Sequence, residues 1–236
     1  MSLSLNPEDV DETGSRPLAL DMRAITLTLG AEAGPVNILK GVDFSVAAGE
    51  SVAIVGPSGS GKSSLIAVAA GLEPATSGAV TLLDQRIDGM GEDALARLRR
   101  GRVSMVFQSF HLLETMTAFD NVRVPLEIAR IDRVDSRAKD ALEAVGLSSR
   151  ITHYPGQLSG GERQRVAVAR ALASDPAIVF ADEPTGNLDA ETGAGVADRL
   201  FAIAKDRGAS LVLVTHDGLL ASRADRTVRM QGGLLA

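Results

Sequence analysis

Hydrophobic and polar positions follow two rhythms along this chain. Leu18 to Leu29 alternates loosely, is rich in Leu, Ile and Thr, and breaks at Gly30 to Pro35. A second short run, Val42 to Val46, ends at Ala47-Ala48-Gly49. Alternation bounded by glycine and proline predicts strands of a small antiparallel sheet. Ser51 to Val55 is instead apolar nearly throughout, as a strand covered on both faces must be. Ala177 to Ala181 and Ser210 to Thr215 share that character. Between these two runs Val196, Leu200 and Ile203 recur at helical spacing, and Ala197, Phe201 and Ala204 widen the stripe. Strand, helix and strand in this order predict a parallel sheet.

The middle third reads differently. A strand-like stretch, Val103 to Phe107, is followed from Gln108 to Ala173 by mostly helical patterns. One of them, from about Ser136 to Val145, stops at Gly146-Leu147, a helix-ending glycine with an apolar residue behind it. The expected fold class is α/β, with a mostly parallel sheet, an N-terminal antiparallel β subdomain and an inserted α-helical subdomain over about residues 108–173. No repeat or flexible linker interrupts the pattern, so residues 18–236 are expected to form one continuous domain. Residues 1–17, MSLSLNPEDVDETGSRP, are acidic and polar where a signal peptide would be basic and then apolar. They are expected to be a disordered tail.

Composition narrows the function classes. With 236 residues and 45% apolar content, the chain can bury the core of one large α/β domain. A net charge of −6 argues against a nucleic-acid partner, which would need a basic surface. Arg97, Arg99, Arg100 and Arg102 cluster locally, but Glu92 and Asp93 precede them, and a solvated helix face is the expectation. There is no cysteine, which removes disulfides and thiolate metal sites from consideration. The longest apolar stretches, such as Leu65 to Leu72, fall far short of the roughly 20 residues that cross a bilayer.

Candidate chemistry begins at Gly56-Pro57-Ser58-Gly59-Ser60-Gly61-Lys62-Ser63, which lies between the Ser51 to Val55 strand and a helix-capable run from Ser64 to Val68. That is the context of a phosphate loop. Gly56, Gly59 and Gly61 permit backbone angles and approaches that a β-carbon would block, so consecutive N–H groups can point at one anion as the helix begins. Lys62 would reach the β- and γ-phosphates of a nucleoside triphosphate, and Ser63 would offer its hydroxyl to Mg²⁺. Downstream, the apolar strand Ile178 to Ala181 ends in Asp182 and Glu183, where a parallel sheet exposes its C-terminal edge to ligands. Asp182 suits the metal side; Glu183, pointing elsewhere, suits polarising the attacking water.

Leu158-Ser159-Gly160-Gly161-Glu162, followed by Arg163-Gln164-Arg165-Val166-Ala167, is a second anion site on its own physics. Ser159 caps a helix, and the two glycines leave its first N–H groups bare. This stretch also strongly resembles the signature motif of the ATP-binding-cassette (ABC) proteins, and the resemblance extends over about residues 18–232. It implies a P-loop NTPase core in which two ATPs are sandwiched in a head-to-tail homodimer, each between the phosphate loop of one copy, Gly56 through Ser64, and the signature of the other, Ser159 to Glu162. It further implies that Gln108 is the glutamine that touches Mg²⁺ and the attacking water and links the site to a membrane partner. Asp189, in Asn187-Leu188-Asp189, would contact the opposite site, and His216 would sense the γ-phosphate. His111 and His153 match no motif and are expected at the surface.

Asp182-Glu183-Pro184-Thr185-Gly186-Asn187-Leu188-Asp189 and Phe107-Gln108-Ser109-Phe110-His111-Leu112-Leu113 resemble the stand-alone ATPase subunits of the lipoprotein-release and macrolide-exporter subgroup. The resemblance implies a Mg²⁺-dependent ATP hydrolase that is cytoplasmic and peripheral on the inner face of the cell membrane, bound to an integral membrane permease subunit. That partner would export or extract lipophilic substrates or transmit force, and it would dock at Thr117 to Ile131. The alternative is a soluble cassette ATPase acting on DNA or ribosomes. One departure stands out: no Phe, Tyr or Trp occurs between Leu18 and Asp43, where the family stacks adenine, and Leu29 falls at about that place. Stacking contributes on the order of 1 kcal/mol, so base selectivity is expected to be weak. The signature's fifth residue is Glu162 where glutamine is commoner, with a local effect expected.

Overall fold

The structure, a computed structural model, describes residues 16–31 and 34–236. The expected tail over residues 1–17 therefore lies outside the described residues except for Arg16 and Pro17. The elements in chain order begin with β1 (Leu18–Ala31), β2 (Gly34–Ala47), β3 (Ser51–Val55), α1 (Lys62–Ala69), β4 (Ser77–Leu82), β5 (Gln85–Arg86) and α2 (Glu92–Arg99). There follow β6 (Val103–Val106), α3 (Ala118–Ile128), α4 (Val134–Ala144), α5 (Gly160–Leu172), β7 (Ile178–Asp182) and α6 (Ala190–Asp206). The chain closes with β8 (Ser210–Thr215), α7 (Gly218–Ala221), β9 (Arg226–Gln231) and β10 (Leu234–Leu235). Two compact units result, one from the described residues up to Leu98 together with Ser210–Ala236, the other from Arg99–Ala209.

In the first unit β1 and β2 form a long antiparallel pair, and β4 and β5 extend it in the order β2-β1-β4-β5. Leu20, Met22, Ile25 and Leu27 of β1, and Leu39, Val42, Phe44 and Val46 of β2, are buried. The alternation is loose because the register shifts between Met22 and Ile25, where Ala24 takes a φ of 50° and its N–H donates to Asp43 at 2.8 Å. Such a bulge changes which face the following residues occupy. The expected break at Gly30 to Pro35 is narrower in the structure: β1 runs to Ala31 and β2 starts at Gly34.

The same unit holds a parallel set in which β3 lies between β8 and β9, with Val52 beside both Val212 and Arg226, while β10 turns back antiparallel on β9. Val52, Ala53 and Ile54 are fully buried, as is every residue of β8, which accounts for their unbroken apolar sequence. In the second unit β6 and β7 run parallel, from Val103 beside Ile178 to Val106 beside Ala181. Helices α3, α4 and α5 occupy the chain between those two strands and pack on one another. Helix α4 ends where its sequence says it must. Gly146 has a φ of 74°, its N–H donates to the Glu143 carbonyl, and the N–H of the buried Leu147 donates to Leu142.

Candidate functional site

The Gly56 to Ser63 loop joins β3 to α1. Gly56 has no room for a side chain: a β-carbon there would stand 2.1 Å from the Met230 carbonyl oxygen. Gly61 is the N-cap of α1 with a φ of 104°, and its β-carbon would stand 2.9 Å from the Met230 methyl. The loop is braced from within by Ser60 N–H on the Pro57 carbonyl (3.2 Å) and from β10's approach by Gly233 N–H on the Ser60 carbonyl (3.1 Å). Lys62 is buried, and its Nζ donates to the Gly56 and Pro57 carbonyls, each at 2.9 Å. Pro57, Ser58, Gly59 and Ser63 are exposed, and Ser64 is half-buried. No acidic residue occupies the first turn of α1, so the positive end of its dipole is left to an external anion. His216 follows β8 directly and shares a groove with Gly56, Pro57, Ser222 and Arg229. Asp217 then caps α7 by accepting from the N–H groups of Leu219 and Leu220.

The second unit assembles the remaining candidates in two places. At the end of β7, Asp182 is followed by Glu183 in the left-handed region (φ 45°), a turn closed by Gly186 N–H on the Glu183 carbonyl at 3.0 Å. Gly186 keeps Gln108 and Glu183 close: a β-carbon at Gly186 would lie 3.0 Å from the Gln108 amide nitrogen and 3.5 Å from the Glu183 β-carbon. Asn187 Nδ2 donates to the Gln108 carbonyl at 2.8 Å, which fixes the start of that loop.

The other place is the start of α5. Ser159 is its N-cap and Glu162 completes a capping box: Glu162 N–H donates to Ser159 Oγ (3.2 Å), and Ser159 N–H donates to Glu162 Oε2 (2.8 Å). Arg150 Nε donates to Glu162 Oε1 at 3.0 Å. The Ser159 N–H, followed by the Ser159 hydroxyl and Arg150, holds the Glu162 carboxyl below its usual range. Gly161 is required because α6 approaches it; its β-carbon would stand 2.3 Å from the Thr192 methyl. Asp189 caps α6 by accepting from Thr192 N–H at 3.0 Å, which lowers its own pKa. Ser159 to Glu162, Arg165 and Asn187 to Asp189 line one polar groove. Burial, and then the charge of Arg199, lower the Arg165 pKa.

Residues 39–186 match the ABC transporter family model. The chain belongs to the ABC transporter family. It is 46% identical to the ABC transporter ATP-binding protein YbbA of Escherichia coli (strain K12), covering 92% of this chain and 96% of that one. It is 45% identical to the lipoprotein-releasing system ATP-binding protein LolD of Geobacter metallireducens, over 91% of this chain and 96% of that one. Among solved structures it is similar to the ATP-binding cassette MJ0796, in a dimeric post-hydrolysis state bound to ADP and Pi, with 35% identity, a TM-score of 0.86 and coverage of 92% and 96% of the two chains.

As an ATP-hydrolysing subunit of that family, the cassette carries Gly56 to Ser64, Lys62 and His216 in its first unit. Gln108, Ser159 to Glu162, Asp182, Glu183 and Asp189 lie in its second. Leu29 is exposed on β1, directly across from the equally exposed Val36 of β2. His111 is exposed, as expected, whereas His153 is half-buried because its carbonyl accepts the first N–H of α3 and its Nε2 meets Arg150 at 3.3 Å. Two residues of α5 that sequence reasoning passed over, Arg163 and Arg170, both contact the loop after Gln108. Their placement two turns apart on one helix face was the available signal.

Proposed function

We propose that this cassette is the motor subunit of a membrane complex, in which two copies close head to tail around two ATPs and reopen after hydrolysis to move an integral membrane permease subunit. The observation that carries this reading is the presence of two glycine-built helix starts suited to phosphate, at α1 in one unit and at α5 in the other. One bound triphosphate needs one cradle; the second helix start suits the γ-phosphate of an ATP held by another copy. The dimeric state of MJ0796 supports the same arrangement.

Lys62, now bonded to two loop carbonyls, binds the β- and γ-phosphates with the amides of the Gly56 to Ser64 loop. Glu183 accepts a hydrogen bond from the water that attacks the γ-phosphorus; the bond to the bridging oxygen breaks, and ADP and phosphate leave. Gln108 positions that water, His216 contacts the γ-phosphate, and Asp189 contacts the site of the second copy. Among the described residues no three His, Cys, Asp or Glu side chains form a metal cage. The donor set fits Mg²⁺, which is held through one or two carboxylates, here Asp182, and keeps phosphate and water in its shell. Ser63, Asp182 and Gln108 would hold it. Bound there, the ion neutralises charge on the phosphates.

Similarity to a protein named for lipoprotein release supports a partner that extracts lipid-anchored or other lipophilic substrates, or transmits force. Among the described residues no helix is long and apolar enough to cross a membrane. The proposed location is cytoplasmic, on the inner face of the cell membrane, docked through Thr117 to Ile131, where Ile128 is 62% exposed. The test is direct. Glu183→Gln is expected to bind ATP, accumulate as a dimer in size-exclusion chromatography, and hydrolyse at least about 100-fold more slowly; hydrolysis at the parental rate would remove Glu183 from its role. Lys62→Ala is expected to bind no ATP in equilibrium titration.

A further inference from the structure

The loop that follows Gln108 has an unusual backbone. Phe110 and His111 are consecutive non-glycine residues in the left-handed region, with φ of 61° and 46°. L-residues avoid that region, and such conformations persist only where the surroundings determine them. Here the surroundings are largely α5. Arg170 donates from Nη2 to the Phe110 carbonyl at 2.9 Å and from Nη1 to the His111 carbonyl at 2.5 Å. One planar guanidinium thus spans the two carbonyls of the two strained residues, a fork that lysine cannot reproduce. Two turns earlier on the same helix, Arg163 lies over the Phe110 ring at 5.2 Å. The Phe107 and His111 rings close the loop on itself with centroids 4.6 Å apart. Asn187 holds the Gln108 carbonyl, and the Gln108 amide lies against Gly186, whose N–H is bonded to Glu183.

We propose that Arg170 is a positioning residue for hydrolysis: by clamping the Phe110 and His111 carbonyls it sets the loop that presents the Gln108 side chain beside Glu183. Arg163, one residue beyond Glu162 of the signature, grips the same loop, so a movement of α5 driven at its signature end is carried to Gln108. Arg170 itself touches neither nucleotide nor water; it acts through Gln108. This inference rests on the roles assigned above to Gln108 and Glu183.

A double-mutant cycle tests it. Arg170→Ala is expected to lower kcat about 10- to 100-fold, as small misplacements of a catalytic group do, with the KM for ATP within about twofold of the parent. Arg170→Lys is expected to recover only part of the loss. Gln108→Ala combined with Arg170→Ala should hydrolyse no more slowly than Gln108→Ala alone, because the arginine works through the glutamine. Arg170→Ala in a Glu183→Gln background should still accumulate ATP-bound dimer. Parental kcat in Arg170→Ala, or losses that multiply in the double variant, would overturn the proposal. Where Arg170→Ala does not fold by thermal melting, Arg170→Gln and Arg170→Lys carry the same cycle. The outcomes separate from those of the functional reading: if Glu183→Gln stops hydrolysis while Arg170→Ala leaves it intact, only the arginine's role fails, whereas parental hydrolysis in Glu183→Gln fails the reading beneath it.

Discussion

Gly56 and Gly59 stand three residues apart in the phosphate loop and are glycine for different reasons. At Gly56 a β-carbon would lie 2.1 Å from a backbone carbonyl on β9, whereas at Gly59 nothing lies within 4 Å and only the φ of 76° selects glycine. Gly56→Ala is therefore expected to displace the loop or β9, lowering stability by about 1–3 kcal/mol and weakening ATP binding. Gly59→Ala should cost only about 1 kcal/mol. Thermal melts and nucleotide titrations of the two variants check this, and equal losses at both positions would contradict it. The first was legible only in three dimensions, because Met230 is remote in sequence. Leu29 is a second residue-scale case. It offers an aliphatic surface, with Val36 across the hairpin, where stacking would need a ring. Comparable affinity for ATP and GTP is expected, and Leu29→Tyr should tighten ATP binding by about fivefold, the equivalent of roughly 1 kcal/mol. Strong ATP preference in the parent that is lost in Leu29→Ala and kept in Leu29→Tyr would count against an aliphatic platform of low selectivity.

At the scale of elements, α5 shows how one residue serves cap, charge and site. Glu162 is bonded to the Ser159 N–H and hydroxyl and to Arg150, and its folded pKa is depressed. The sign follows from linkage: the stabilisation is fully present above the ordinary carboxylate value of about 4.5 and is lost as pH falls through the lower folded value. Glu162→Gln should thus cost about 0.5–1 kcal/mol at pH 7, and the difference from the parent should disappear only as pH falls through the lower folded value and the parent's carboxyl is neutralised. Melting temperatures across pH 2–7 read both limbs. The cap itself was legible, since serine before two glycines and a glutamate announces a helix start. Strands β3, β7 and β8 were also legible, because burial on both faces requires unbroken apolar sequence. Strand β9 was not: Arg226, Thr227 and Arg229 interrupt its apolar residues, and only its pairing with β3, with Arg226 bonded to Glu50 and the Ser45 carbonyl, makes it a strand.

For the whole molecule, the proposed head-to-tail dimer makes a prediction that no single-chain site shares. Mixing Glu183→Gln with Ser159→Arg before adding ATP should restore hydrolysis that neither variant shows alone, because mixed dimers hold one site whose loop, glutamate and signature are all intact. About a quarter of the parental rate is expected if half of the dimers are mixed and half of their sites work. An inactive mixture would argue that each chain completes its own site. The proposed membrane partner is tested at the same scale, by whether substitutions of exposed apolar residues in Thr117 to Ile131 release the cassette from membranes while sparing ATP binding.

Sequence alone determined the local chemistry: a glycine-built phosphate loop after a buried strand, carboxylates at a strand end, a capped signature helix, and a helix stopped at Gly146. These are short-range consequences of backbone freedom, periodicity and capping, so a single sequence displays them. Tertiary structure decided which residues meet. Met230 against Gly56, Thr192 against Gly161, Gln108 beside Glu183 across Gly186, and Arg170 on the carbonyls of Phe110 and His111 all join segments far apart along the chain. No periodicity or motif encodes such contacts, because they depend on how whole elements pack.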